Sequence, residues 1–413
     1  SMLIGQSASW KNKAAILTTH QYCEENMRYY AMLEKYLTLN NFYICDNLDV
    51  DYIFFVGCGT TDEKFEIFRK FISETDYLHE KIILMGCLSK THLNELNTFF
   101  NGKIIPYGDE KHLDEAINAS ISFASTGYTN VFSPLTKNNI KANPMYYIKI
   151  SDGCWMECTF CIIKKAHGYL RSESKESILK QYLRGLDLGY RKFYLMGTDS
   201  FAYGYDIDTN IFILINELHQ INNNAVFFLG NLHPRWLIKY ENELKKICQK
   251  NILGSLQCAI QHVNQEILKR MGRDVDFKKT YEIIKEISRL SPELFMSADL
   301  ISGFPSETDD IFNEMIEFIK ADTCFNMIQH FSYKDNKCAQ SYNYDNKIRD
   351  SIKLLRWKIM NDTIGKRLPE TVFKERFTQT GDDIYQYYTD IYVGVVKEGY
   401  FFCKNTYLNE KVD

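Results

Sequence analysis

The chain has 413 residues, of which 45% are hydrophobic and 25% charged, with a formal net charge of −4. That length and composition imply two or three globular domains with sizeable cores, and the acidic balance speaks against a surface built throughout to grip nucleic acid. No run approaches the ~18–20 apolar residues of a membrane helix and the N-terminus carries no signal-peptide pattern, so a soluble, cytoplasmic monomer without a membrane partner is expected.

From the N-terminus, short apolar runs alternate with helical patterns. AAILTT (14–19), DYIFFVGC (51–58) and KIILMGC (81–87) read as strands, and 26–40 and 64–75 as amphipathic helices. Such alternation predicts a parallel sheet with helices on its faces, where ligands gather beyond the carboxyl ends of the strands. Cys23, Cys58 and Cys87 all fall at those ends, two of them directly after Gly57 and Gly86. Disulfides are rare in a cytoplasmic chain, so three thiols at one sheet edge predict a shared metal site. This first α/β domain is placed at 1–138.

A longer alternation fills 139–367. Strands are predicted at 146–151, 192–197, 225–232, 255–261, 293–304 and 325–333. Helices are predicted at 174–190, 208–222, 236–250, 264–272, 277–288 and 308–321. Six strands with helical crossovers predict a partial (β/α)₆ barrel, with its active site on the loops after the strands. Residues 368–413 change character: the Tyr-, Thr-, Phe- and Val-rich tail, with turns at TGDD and KEG, predicts a small antiparallel β domain.

The chemistry concentrates in SDGCWMECTFCIIKKAHG (151–168), just after the first barrel strand. Cys154, Cys158 and Cys161 form a C-x₃-C-x₂-C run. Thiolates select soft metals and iron–sulfur clusters, and three cysteines on a four-iron cubane leave one iron open for a small molecule. A structural zinc would need a fourth ligand such as His167. Cys45, Cys248, Cys258, Cys324, Cys338 and Cys403 stand singly and read as small buried residues.

The run, with Phe160 before its third cysteine, resembles the signature of the radical S-adenosylmethionine (SAM) superfamily. With Cys23, Cys58 and Cys87 added, the chain resembles the methylthiotransferases, and MGCLSK (85–90), LMGTDSFAYG (195–204), AIQHVNQEILKRMGR (259–273), ADLISGFPSET (298–308) and FSYKDNKCA (331–339) extend that likeness along nearly the whole sequence. The resemblance implies an auxiliary-cluster domain, a radical SAM barrel and a C-terminal TRAM-like β domain. It implies two 4Fe–4S clusters, one on Cys154, Cys158 and Cys161 and one on Cys23, Cys58 and Cys87. It implies SAM bound beside Phe160, Gly197, Thr198 and Gly303, and an electron donor such as flavodoxin or ferredoxin. The implied reaction inserts sulfur and a methyl group at an unactivated C–H. DSFAYG resembles the branch that modifies an aspartate of a ribosomal protein, so a protein or peptide substrate is expected. The alternatives are a tRNA adenosine, or another radical SAM modification of a peptide using an auxiliary cluster. The family pattern is broken by Lys164, His167-Gly168 and Ser172-Glu173, where it shows Pro, Arg-Gly and Ser-Arg. It is also broken around Cys23 (QYCEEN) and Cys58 (FVGCGT).

Overall fold

The computed structural model describes residues 10–18, 24–127, 145–367, 394–397 and 400–403. The chain folds as two compact units, residues 1–139 together with 389–413, and residues 140–388.

In the first unit, β1 (Asn12–Thr18), β2 (Phe42–Ile44), β3 (Tyr52–Val56), β4 (Ile82–Met85) and β5 (Lys103–Ile104) make a sheet whose central order is β1-β3-β4-β5, all parallel. β3 and β4 run as the unbroken apolar strings YIFFV and IILM because both faces are covered. The helix Asp62–Glu74 begins at Thr61, whose side chain accepts from the Lys64 amide, and places Asp62 and Glu63 in its first turn, where the helix dipole favours them. Its buried face carries Phe65, Phe68, Phe71 and Ile72. The Phe68 and Phe71 rings lie 4.8 and 5.0 Å from that of Phe55 on β3. Each such ring buried contributes about 1.5–3 kcal/mol.

In the second unit, six parallel strands run in the order β13-β12-β11-β10-β9-β6. They are β6 (Met145–Lys149), β9 (Lys192–Met196), β10 (Val226–Leu232), β11 (Leu253–Gln261), β12 (Phe295–Ser302) and β13 (Met327–Ser332). Helices fill every crossover, as the partial barrel requires. Two short strands, β7 (Ser151–Asp152) and β8 (Arg171–Ser172), pair antiparallel and bracket the cysteine run. The helix expected at 236–250 is instead two, Pro234–Lys239 and Glu241–Gln249. Tyr240 (φ −113°, ψ 29°) breaks the coil, and its ring stacks on Trp236 at 5.9 Å. Proline at the first helical position explains the earlier start.

The tail adds to the first unit. β14 (Gly394–Lys397) and β15 (Tyr400–Cys403) do form an antiparallel hairpin, but β15 adds to β1 with Leu17 opposite Phe402. Among the described residues the tail thus joins the first unit's sheet; the rest of the β domain expected at 368–413 lies outside the described residues. The edge of β1 beyond β2 offers unpaired backbone groups, and an extra strand satisfies them. Of the single cysteines, Cys45, Cys248, Cys258 and Cys324 are buried as expected, Cys338 is half-buried, and the side chain of Cys403 lies outside the described residues.

The carboxyl edge of the first sheet depends on Gly86. Its φ is +80°, and a Cβ there would lie 2.8 Å from the Gly57 carbonyl oxygen. Gly86→Ala is expected to lower stability by about 1–3 kcal/mol. Thermal unfolding would register this, and an unchanged melting temperature would contradict it.

Candidate active site

The cysteine run lies on the loop between β7 and β8, and Asp152 closes that loop. Its carboxylate accepts from the Gly153 amide (2.9 Å), lies 2.8 Å from His167 Nδ1, and pairs with Lys149 (3.2 Å) and Arg171 (3.4 Å). The Cys154 amide donates to the Gly168 carbonyl at 3.1 Å. Gly153 (φ +72°) passes so close to Tyr169 that a Cβ would lie 2.1 Å from its carbonyl oxygen. The middle of the loop is pinned to the turn after β11's helix. Thr159 N donates to the Met271 carbonyl and Thr159 Oγ1 to that of Arg270, both at 2.9 Å.

Donors converge on the sulfurs. The Met156 amide points at Cys154 Sγ and the Ile163 amide at Cys161 Sγ, each at 3.4 Å. Arg273 Nη1 lies 3.2 Å from Cys158 Sγ, and its other terminal nitrogen donates to the Ala259 carbonyl. Backbone amides and a buried guanidinium aimed at thiols stabilise thiolate charge, so this donor set fits a metal–sulfur centre. Without a metal, burial pushes the Cys154 thiol up to about 12, helped by Asp199 and the neighbouring cysteines and opposed by the Met156 amide. Among the described residues no three His, Cys, Asp or Glu side chains gather at a single ion's spacing. Cubane ligands bind different irons and stand further apart than the ligands of one ion. His167 is buried and faces Asp152, so it does not complete a zinc site with the cysteines.

The other expected cofactor residues surround this loop. The Phe160 ring lies edge-on to Phe304 at 6.4 Å and packs against the apolar cluster that Phe304 forms with Ile267, Met271, Ile301 and Tyr333. Gly197 and Thr198 follow β9, and a Cβ on Gly197 would lie 2.5 Å from Ser151 Oγ. That hydroxyl is buried without a hydrogen-bond partner. Gly303 follows β12 with φ +79°, and its amide donates to Glu307 Oε1 at 2.8 Å. The departures from the family pattern carry internal ties: His167 holds Asp152, and Ser172 donates through both its amide and its hydroxyl to Asp206 on the loop after β9.

In the first unit, Val56 pairs with Met85, so Cys58 and Cys87 each lie two residues past a matched pair at the same carboxyl edge. Both are buried, and Cys58 Sγ lies 3.0 Å from Thr60 Oγ1. Thr18, at the end of β1, donates to the Val56 carbonyl. Cys23 lies outside the described residues, five positions beyond Thr18.

Several groups at the site carry roles the sequence did not signal by spacing. Arg273 stands inside a quoted motif, yet only the fold brings it to Cys158. Asp199 is buried and accepts from Trp236 Nε1 at 2.6 Å. Burial raises its pKa to about 7, against the opposing pull of Trp236 and the His233 amide. On adjacent strands β11 and β12, Gln257 donates to the Asp299 carboxylate at 3.0 Å, and a Cβ on Gly230 would meet both Tyr194 and Gln257.

Residues 148–319 match the Radical SAM superfamily profile. The chain is 27% identical over 335 residues to a ribosomal protein uS12 methylthiotransferase RimO of Chlamydia abortus, covering 78% of this chain and 72% of that protein. It is 28% identical over 346 residues to the RimO of Thermodesulfovibrio yellowstonii, covering 82% and 79%. It is also 28% identical over 275 residues to a probable threonylcarbamoyladenosine tRNA methylthiotransferase of Pyrococcus abyssi, covering 64% of each. In fold it is similar to the radical SAM methyltransferase TsrM of Kitasatospora setae, solved with cobalamin and a 4Fe–4S cluster, with a TM-score of 0.54, 10% identity, and coverage of 80% and 77%.

A donor to a cluster sulfur stabilises the reduced, more negative state. Arg273→Met is therefore expected to move the potential of a cluster held by this loop to a more negative value. A redox titration followed by EPR would measure it, and an unchanged potential would mean that the Cys158 contact carries no such stabilisation.

Proposed function

Because residues 148–319 are a radical SAM domain and the chain is an enzyme of the radical SAM methylthiotransferase family, we propose that it installs a methylthio group at an unactivated C–H of a protein or peptide side chain. What supports this reading is that Cys58 and Cys87 lie at the carboxyl edge of the first unit's parallel sheet while Cys154, Cys158 and Cys161 follow the first strand of the second unit's sheet, with Cys23 completing the first set in the sequence. A radical SAM enzyme that only abstracts hydrogen needs the second-unit set alone.

Cys154, Cys158 and Cys161 would hold the cluster that binds SAM, and Cys23, Cys58 and Cys87 an auxiliary cluster with its own open iron. Bound there, the first cluster supplies one electron for cleaving SAM to a radical, and the second presents the sulfur to be transferred. The chain's residues do the rest. Asp152 and Gly153 hold the loop to the barrel, Arg273 and two backbone amides neutralise thiolate charge, and Gly197, Thr198 and Gly303 would meet SAM through the backbone turns that follow β9 and β12. A small reductant protein of flavodoxin or ferredoxin type would deliver the electron. No described helix is long and apolar enough to cross a membrane, in keeping with a cytoplasmic substrate.

The RimO relatives, which span more than three quarters of this chain, favour a protein substrate, with a ribosomal protein or a peptide precursor foremost. A tRNA adenosine is the second reading, supported by the 28% identity to the Pyrococcus abyssi protein. Mass spectrometry of peptides and of nucleosides from cells with and without the enzyme separates the two: an added methylthio mass on a nucleoside alone would overturn the protein reading.

The two thiol sets should separate in kinetics. Cys58→Ala with Cys87→Ala is expected to leave 5′-deoxyadenosine formation intact and stop sulfur transfer. Changing Cys154, Cys158 and Cys161 to Ala is expected to abolish both. Continued 5′-deoxyadenosine formation by the latter variant would contradict the assignment.

A further inference from the structure

The helix Asp350–Arg367 is built against the usual pattern. It buries Arg356 and Met360, while Leu354, Leu355 and Trp357 on the same helix are exposed. Burying a guanidinium is costly unless it is fully bonded, so this inward arginine calls for a reason other than apolar packing.

Its bonds supply one. Arg356 Nη1 donates to Glu307 Oε1 at 2.8 Å and to the Glu307 carbonyl at 2.9 Å, and Nη2 donates to Asp309 Oδ1 at 2.7 Å. The Glu307 side chain is fully buried. Its Oε1 also accepts the Gly303 amide at 2.8 Å, and its Oε2 lies 3.1 Å from His262 Nε2. His262 Nδ1 accepts the Asn264 amide, which leaves the Nε2 proton for Glu307 when the ring is neutral. Thus one carboxylate gathers the turn after β12, the end of β11 and the last barrel helix. One turn earlier on that helix, Lys353 lies against the same turn: a Cβ on Gly303 would lie 2.8 Å from Lys353 Cγ. The helix touches the Gly303 turn at both 353 and 356, three residues apart on one face.

We propose that Arg356 is a positioning residue for SAM. Through Glu307 it fixes the left-handed Gly303 turn in the shape that lets SAM lie against the backbone. This rests on the radical SAM reading of that turn. Asp309 holds the second arm of the fork, so the guanidinium cannot turn away from Glu307. Lysine cannot replace it, because a single ammonium does not reach two carboxylates and a carbonyl in that fixed geometry. Without the fork, Glu307 keeps only neutral donors and the turn is free to sample other backbone conformations.

The test uses the reconstituted full chain with Arg356→Lys, which keeps the charge. SAM affinity is read from the change that SAM titration makes in the EPR signal of the reduced cluster. Backbone order is read from hydrogen exchange of the peptide covering 300–307. The expected result is SAM binding weakened about tenfold, the loss that follows from one misplaced positioning interaction. Exchange across 300–307 should be faster, with iron content unchanged and the rate of 5′-deoxyadenosine formation retained at saturating SAM. Glu307→Gln, which keeps the volume and one carbonyl acceptor, should weaken binding similarly. Wild-type affinity and wild-type exchange in either folded variant would overturn the proposal. Failure of the unaltered, iron-loaded chain to bind SAM would instead overturn the reading of the Gly303 turn as a SAM site.

Discussion

Both thiol sites depend on one constraint: backbone must crowd backbone at the carboxyl edge of a parallel sheet before side chains there can share a ligand. Parallel register alone brings residues on neighbouring strands level, as Val56 and Met85 are level in the first unit. The positions just beyond must then turn without spreading the strands. Gly86, with a Cβ's space already taken by the Gly57 carbonyl, does this beside Cys58 and Cys87. Gly153, crowded more closely still by the Tyr169 carbonyl, does it beside Cys154. A side chain at either place would force the backbone next to a thiol to shift, and metal ligands tolerate misplacement of only about 0.2 Å.

Charge is the second requirement, and the second unit meets it with charged groups that hold one another. Asp152 ties Lys149, Arg171, His167 and the Gly153 amide into the frame of the loop. Arg273 brings a cation to Cys158, and Glu307 serves Gly303, His262 and Arg356 together. Single pairs of this kind add little to stability, because desolvation cancels most of their attraction. Their value lies in geometry: each fixes one turn of the backbone at the mouth of the barrel.

Much of this was legible from residue pattern. The six barrel strands follow from apolar runs with helical crossovers between them, and the cysteine spacing names its chemistry because few centres use three thiolates. What could not be read depends on distance along the chain. Arg273 lies more than a hundred residues from Cys158, and Arg356 lies 49 from Glu307. No local spacing couples them, and a charged residue on a helix usually signals a solvated face. The partner of the tail hairpin is hidden for a related reason. Alternating Tyr, Val and Phe marks strands, but which edge they join is set by the part of β1 beyond β2, at the other end of the sequence. The break at Tyr240 is not legible in the sequence because the helical period continues across it; its non-helical backbone and the stacking of its ring on Trp236 mark it in the structure.

The central claim is that the chain carries two separate three-thiolate centres, one in each unit. Iron and acid-labile sulfide analysis of the anaerobically reconstituted chain, together with its Cys58→Ala, Cys87→Ala variant, tests this most directly. The account predicts about eight iron and eight sulfide per unaltered chain, falling to about four of each in the variant, since a cubane holds four irons. About four in both would contradict it.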